Sequence, residues 1–280
     1  MFLRLLKLNE TLFALPFAYS GVLLAYKFID DLELIKIIWV TIAMVGARTF
    51  GMLMNRVIDK QIDSINPRTK DRDLPSGRVK TSSILLIAFF ALIVFIYSAF
   101  MLNKLAFYLS PIVAIYMLIY SYTKRFTWLS SFFLGCVLAT APSGAWIGIN
   151  GSLGFEPVIL SIAVVLWAAS FDILYHVQDV DFYSRNKLYS FSARFGVEFA
   201  VKITKLLDIL SVLMLILLGV VAGLSWIYYI GPIIVGYILF YKHRYISYHG
   251  VIVGMQKCFP LNPIVSLSIF FSIFASLIVS

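Results

Sequence analysis

Long apolar runs separated by short polar segments dominate the 280-residue chain. A helix that crosses a membrane needs roughly 20 mostly apolar residues, because the hydrocarbon core is about 30 Å thick. The pattern predicts nine such spans, with approximate bounds 11–29, 34–55, 82–102, 104–122, 128–149, 157–178, 203–223, 225–241 and 262–280. The eighth is short, and a very tight turn at Asn103 separates the third from the fourth. We therefore predict an all-α, polytopic membrane bundle of nine transmembrane helices.

Composition supports a membrane protein and argues against other classes. Apolar residues make up 61% of the chain and charged residues 13%, against roughly 25% charged in a soluble domain. The net charge of +9 does not indicate nucleic-acid binding, because the basic residues lie in short gaps between apolar runs. Cys136 and Cys258 form no CxxC pair, so neither a disulfide framework nor a zinc site is expected. With no linker or low-complexity segment, residues 1–280 are predicted to form a single domain.

The distribution of Lys and Arg predicts the orientation of the chain. One face of the predicted bundle receives nineteen of them, the other receives only Lys27, Lys36 and Lys104, and Arg48 lies within the second span. By the positive-inside rule the basic face is cytoplasmic, which places the N-terminus inside and Ser280 outside the cell membrane. Arg4 precedes an apolar run without a cleavage site, so we expect a retained first span and not a signal peptide. Three long polar connections, 56–81, 179–202 and 242–261, place the predicted function on the cytoplasmic side.

The first aspartate cluster, Asn55, Asp59 and Asp63, ends the second predicted span. Residues four apart on a helix share one face, so these three side chains are predicted to point the same way. Charges at the end of a membrane-length helix are costly unless neutralised, and Mg²⁺ is commonly held by one or two carboxylates together with waters and phosphate oxygens. The loop that follows carries cations suited to phosphate: Arg68, Lys70 and Arg72. The alternative is a solvated helix end with incidental charges.

The second aspartate cluster, Asp172 and Asp179, ends the sixth predicted span. The two aspartates are seven apart and share a helix face, with Tyr175 and His176 between them, and we predict that this face meets the first cluster. Asp181 lies on the opposite face of a continuing helix and joins the site only if the helix ends near Asp179. Two magnesium-binding clusters suit a reaction in which diphosphate leaves carbon. A pocket within the membrane is also suited to hold an isoprenoid tail and exclude water.

Together these motifs resemble the UbiA superfamily of intramembrane prenyltransferases. The likeness covers most of the chain and is carried by five segments: Glu10 to Ala18, the NxxxDxxxD pattern from Asn55 to Asp63, the NPRTxxRxLPSG-like loop from Asn66 to Gly77, the turn from Tyr122 to Arg125, and the DxxxxxxD pattern from Asp172 to Asp179. There are two departures. Arg56 and Tyr183 stand where many family members have aspartate.

The resemblance implies a nine-helix bundle around a central cavity, with Mg²⁺ and a prenyl diphosphate bound at the two clusters. The implied Mg²⁺ ligands are Asn55, Asp59, Asp63, Asp172 and Asp179, of which the four aspartates are catalytic. The implied phosphate-binding residues are Arg68, Arg72 and Lys124. Further candidate substrate contacts are Tyr175, His176 and Asp181, and His176 is a candidate to contact the acceptor.

Within the superfamily, NRxxDxxxD combined with FDxxYxxQD is most similar to 4-hydroxybenzoate polyprenyltransferases and related menaquinone-pathway enzymes. The implied function is Mg²⁺-dependent prenylation of an aromatic acid in respiratory quinone biosynthesis. Other acceptors remain open: geranylgeranylglyceryl phosphate in ether-lipid synthesis, dihydroxynaphthoate, homogentisate or haem. An ion-coupled transporter is the alternative of a different class, although transporters favour sites near mid-membrane, and both clusters here end their spans beside basic loops.

Overall fold

A computed structural model describes residues 14–29 and 33–279, so Arg4, Lys7 and Glu10 lie outside the described residues. Within these ranges the chain is helical, with no strand, which confirms the all-α prediction. The α-helices are α1 Leu15–Tyr26, α2 Leu34–Ile58, α3 Lys60–Ile65, α4 Thr81–Leu102, α5 Lys104–Thr123, α6 Ser130–Asn150, α7 Phe155–His176, α8 Val180–Arg185, α9 Phe191–Phe195, α10 Val197–Val221, α11 Ile230–His249, α12 Val251–Cys258 and α13 Asn262–Val279. Short 3-10 helices occupy Val177–Asp179, Trp226–Tyr229 and Phe259–Leu261.

Every predicted span coincides with a helix in the described part of the chain, but not every helix is long and apolar enough to cross a membrane. Among residues 14–29 and 33–279, seven segments meet both requirements. Helix α1 has only 12 residues, and α11 carries Lys242, His243 and Arg244 near its end. The chain is therefore a multi-pass membrane protein, whereas the count of nine crossings and the central cavity stay predictions.

Some predicted loops are helical instead. The predicted loop 242–261 was wrong, because α11 continues to His249 and α12 follows directly. The apolar pattern stops near 241, but Lys242 is buried and ion-paired, so the helix continues past the end of the pattern. The tight turn predicted at Asn103 is confirmed, since this residue alone separates α4 from α5. Its side-chain Oδ1 accepts a hydrogen bond from the Ala106 backbone N–H at 2.9 Å, which caps the start of α5.

The helices form two compact units, each with its own close packing. In the unit Glu33–Tyr122, α2 packs along α4, and a Cβ at Gly46 would lie 3.0 Å from the Ala91 carbonyl oxygen. In the unit that includes Thr123–Ser280, α7 packs against both α6 and α10. A Cβ at Gly135 of α6 would lie 2.7 Å from the Val165 carbonyl oxygen of α7, so this contact requires glycine, whereas a Cβ at Gly46 would need α4 to shift by a few tenths of an ångström. The single domain over 1–280 stays a prediction.

The last turns of α7, which carry the second aspartate cluster, are held by an apolar core. Ala169 and Ile173 are completely buried, and they pack with Phe191 of α9 and with Ala200 and Leu207 of α10. Burial of each of the larger side chains in this core stabilises the fold by roughly 1.5–3 kcal/mol. The core therefore fixes the direction in which the polar face of α7 points.

Candidate functional site

The first aspartate cluster lies where α2 gives way to α3. Asp59 separates the two helices, with φ −90° and ψ 0°. The Asp59 N–H nevertheless donates to the Asn55 carbonyl at 2.9 Å, and the Asp63 N–H donates to the Asp59 carbonyl at 2.8 Å. Because these are helical i to i−4 hydrogen bonds, the three residues keep the spacing of one helix face across the junction.

Both carboxylates of this cluster are removed from solvent. Asp59 is 2% exposed and Asp63 is 8% exposed. Asn55 Nδ2 donates to Asp59 Oδ2 at 3.1 Å and to Ser121 Oγ of α5 at 3.3 Å. Asn55 thus orients the Asp59 carboxylate, and its role as a metal ligand stays a prediction.

The basic loop is tied back onto α3. Arg72 Nη1 lies 2.9 Å from Asp63 Oδ2, and Thr69 Oγ1 donates to the Asp63 carbonyl oxygen at 3.0 Å. Asn66 Oδ1 accepts from the Arg68 N–H at 2.9 Å, while the Arg68 side chain is exposed. The sequence analysis missed the pairing of Arg72 with Asp63, since nine residues across a loop leave no periodic signal. The Arg72 guanidinium therefore neutralises the negative charge of the buried Asp63 carboxylate.

The second aspartate cluster lies where α7 tightens into the 3-10 turn Val177–Asp179. Asp172 is 7% exposed and Asp179 is 4% exposed. Asp172 Oδ1 is 4.0 Å from His176 Nε2, whereas Asp172 Oδ2 and His176 Nδ1 are buried without a hydrogen-bond partner. A buried polar atom without a partner is costly, and here it leaves an oxygen ligand and a ring nitrogen ready for a bound group.

Aromatic side chains surround this cluster. The Tyr183 ring is buried, with its centroid 5.5 Å from that of His176, and the Tyr175 ring lies 5.6 Å from Phe259. Asp181 is exposed on α8, so the buried position after Asp179 is taken by Tyr183 and not by a carboxylate. The substrate contact implied for Asp181 has no support in this placement and stays a prediction.

Lys124 lies just after α5 and is half-buried. Its carbonyl oxygen accepts a hydrogen bond from the Tyr189 N–H at 2.8 Å, which joins the turn after α5 to the segment before α9. This contact orders the Lys124 backbone, and phosphate binding by its side chain stays a prediction.

A buried ionic network was missed by the sequence analysis. Asp208 Oδ2 of α10 lies 2.6 Å from both Lys242 Nζ and His243 Nε2 of α11. Lys242 Nζ also donates to Ser170 Oγ of α7 at 3.2 Å, two residues before Asp172. Assigning Lys242 to a loop was therefore wrong. The available signal was Asp208 itself, since an ionisable residue inside an apolar span indicates a partner or a function.

The donor atoms of both clusters fit Mg²⁺. They are carboxylate oxygens, the ligands this ion prefers, and Asp172 Oδ2 is buried and unpartnered. In residues 14–29 and 33–279, no three His, Cys, Asp or Glu side chains converge into a preformed metal cage. This too is compatible with Mg²⁺, which usually keeps waters and takes substrate phosphate oxygens as further ligands.

Comparison with known sequences gives a family match over most of the chain. The model of the UbiA prenyltransferase family matches residues 14–250. A 4-hydroxybenzoate octaprenyltransferase of Marinobacter nauticus is 31% identical over 223 residues, which are 79% of this chain and 75% of the relative.

Solved structures resemble the fold along nearly the whole chain. The apo structure of a UbiA homolog from Aeropyrum pernix K1 has a TM-score of 0.87 at 29% identity, with 96% of this chain and 98% of that chain covered. A UbiA homolog from Archaeoglobus fulgidus bound to DMAPP and Mg²⁺ has a TM-score of 0.73 at 18% identity, with 99% of each chain covered. This second likeness concerns the fold alone.

Proposed function

The chain belongs to the UbiA prenyltransferase family and is a membrane prenyltransferase, and from this premise we propose that its donor is a prenyl diphosphate and its acceptor an aromatic acid of the 4-hydroxybenzoate class. The product would be a precursor of a respiratory quinone. The match to a 4-hydroxybenzoate octaprenyltransferase supports this choice of acceptor. Because the chain belongs to a prenyltransferase family, the transporter alternative is not proposed.

One observation carries the diphosphate part of the proposal. All four motif aspartates, Asp59, Asp63, Asp172 and Asp179, are at most 8% exposed in a chain of membrane helices. A buried carboxylate is costly unless a positive charge neutralises it, and we propose Mg²⁺ as the main source of that charge at these clusters. When bound, Mg²⁺ neutralises the charge that develops on the diphosphate as its bond to carbon breaks. Their position at span ends rich in Lys and Arg supports a site on the cytoplasmic side.

We assign the remaining roles by the chemistry of each side chain. Arg68, Arg72 and Lys124 are proposed to bind phosphate oxygens, because guanidinium and ammonium groups make short charge-assisted hydrogen bonds to them. His176, whose buried Nδ1 has no hydrogen-bond partner, is proposed to orient the phenol or carboxylate of the acceptor together with Tyr175. The bond between the prenyl carbon and the diphosphate oxygen breaks, the ring carbon ortho to the phenol forms the new carbon–carbon bond to the resulting allyl cation, and the ring proton passes to the released diphosphate.

Arg72→Ala is expected to raise the KM for the prenyl diphosphate about tenfold or more, because a hydrogen bond to a charged group contributes roughly 1.5–3 kcal/mol. The KM for the acceptor should stay within about twofold, since lost ground-state binding affects only the substrate that was bound. Steady-state kinetics with each substrate varied in turn measures both constants. The exposed Lys80, at the end of the same segment, provides the control Lys80→Ala. Equal changes in both KM values would indicate a misfolded loop instead.

The acceptor class is tested by the product. Purified protein is offered geranylgeranyl diphosphate with 4-hydroxybenzoate and geranylgeranylglyceryl phosphate together, and products are identified by mass spectrometry. We expect a prenylated ring with a new carbon–carbon bond ortho to the phenol, and complete loss of product when EDTA removes Mg²⁺. Formation of digeranylgeranylglyceryl phosphate without a prenylated ring would refute the aromatic acceptor and leave the family assignment intact.

A further inference from the structure

A groove of about 590 Å³ runs between α10 and α11, within the unit that includes Thr123–Ser280. This volume lies in the range of small-molecule sites, which is roughly 300–1,000 Å³. Its walls are mostly apolar, and the residues that form them are Ile209, Val212, Leu213, Gly236, Leu239 and Phe240. The groove is therefore suited to a hydrocarbon chain.

One end of the groove is basic. Lys205 of α10 and Arg244 of α11 line it, and both side chains are exposed. Ser247 and Tyr248 lie at the same groove, and the Arg244 guanidinium carbon is 5.7 Å from the centroid of the Tyr248 ring. Basic pockets between membrane helices bind the anionic head groups of lipids, because each Lys or Arg near the membrane surface attracts negative charge.

The inner wall of the groove is polar where Asp208 and His243 line it. Asp208 is neutralised by Lys242 at 2.6 Å, so Lys205 and Arg244 leave the groove with a positive balance. Asp208 Oδ1 is buried without a hydrogen-bond partner, although Asp208 Oδ2 is fully engaged. Because Oδ1 is shielded from solvent, Asp208 acts within the ionic network, and the exposed Lys205 and Arg244 are the charged groups that a head group meets.

We propose that this groove is a binding site for an anionic phospholipid of the surrounding membrane, separate from the aspartate clusters. One acyl chain lies along Ile209, Val212 and Phe240. The phosphate of the head group contacts Lys205 and Arg244. A phospholipid fits better than a fully apolar molecule, because the apolar walls end at two cations.

Native mass spectrometry of the full-length chain in detergent tests the site, with phosphatidylglycerol as the probe and phosphatidylcholine as the zwitterionic comparison. We expect one phosphatidylglycerol to be retained in preference to phosphatidylcholine. The double variant Lys205→Ala/Arg244→Ala should weaken retention roughly 30-fold, from two lost charge contacts. The matched control Arg194→Ala/Lys202→Ala removes one Arg and one Lys that are exposed and do not line the groove. It should retain the lipid as the unaltered chain does.

A second variant tests the apolar part without altering charge. A Cβ at Gly236 would meet only the Val212 methyl groups, at 3.9 and 4.0 Å, so the backbone has room for a side chain here, and Gly236→Leu adds its bulk at a residue that lines the groove. Retention of phosphatidylglycerol should fall while the thermal unfolding midpoint stays unchanged. Equal retention of the two lipids, or an equal loss in the control double variant, would overturn the proposal. So would displacement of phosphatidylglycerol by stoichiometric geranylgeranyl diphosphate, which would indicate a groove for substrate.

Discussion

Asp59→Ala and Asp63→Ala are each expected to lower kcat by about 10³-fold or more while the protein still folds. Each substitution removes a carboxylate proposed to hold the cation that stabilises the leaving diphosphate, an effect of several kcal/mol, and each 1.36 kcal/mol is a factor of ten in rate. Asp172→Asn and Asp179→Asn should lower kcat in the same way as the two alanine variants, since an amide keeps the size of the side chain and loses its charge. The measurement is diphosphate release across a magnesium titration, with thermal unfolding in detergent as the test of folding.

Asp71→Ala is the matched control for the first cluster. Asp71 is an exposed acid of the following loop, and its contact with the Arg78 side chain uses the backbone carbonyl oxygen, which the substitution keeps. Its turnover should equal that of the unaltered protein. If both variants of either cluster kept near-normal rates at every magnesium concentration, that cluster would not be part of the active site.

Asp208→Ala is expected to destabilise the folded protein by about 3–5 kcal/mol, because it leaves Lys242 buried without its counter-charge. Lys242 is buried among α7, α10 and α11, where its remaining polar contact is Ser170 Oγ at 3.2 Å. The double variant Asp208→Leu/Lys242→Met should recover most of the loss, since replacing a whole buried ion pair by apolar side chains is often neutral. Reversible unfolding in mixed micelles measures the free energy of unfolding of the unaltered protein, of Asp208→Ala and of the double variant.

The exposed pair of Glu198 and Lys202 on the same helix is the control for this prediction. The two side chains lie 2.7 Å apart and are exposed, so Lys202→Ala should leave the unfolding midpoint unchanged. A double variant as unstable as Asp208→Ala alone would contradict the explanation by an uncompensated charge. The loss would then come from altered packing around α10.

Much of the first aspartate cluster was predictable because its geometry is local. Asn55, Asp59 and Asp63 recur every four residues, and the backbone hydrogen bonds keep that spacing even though α2 ends before Asp59. The same holds for the tight turn at Asn103, whose short polar side chain caps the next helix. Propensity and periodicity act between neighbours along the chain, so they can be read directly from the printed sequence.

The ends of the helices were less predictable. The apolar pattern placed the end of the eighth span at 241, but α11 includes Lys242 and Arg244 and continues to His249. A charged residue normally marks the end of an apolar span, because a charge is costly within the membrane. Here Asp208 of α10 pairs with Lys242 and removes that cost. The helix of the seventh span also begins earlier than predicted, at Val197, because its first turns carry exposed charged residues such as Glu198 and Lys202, which an apolar pattern does not include.

The membrane class, the helical architecture, the family motifs and the grouping of the four motif aspartates into two clusters were predictable without the fold. These follow from the length and period of the apolar runs and from residue spacings of four and seven. Three further features come from the packing of the helices and loops: Arg72 pairs with Asp63, Tyr183 is buried whereas Asp181 is exposed, and Lys242 pairs with Asp208. The physical reason is that packing chooses these partners across loops and between helices, where charge and burial act over space and leave no period in the chain.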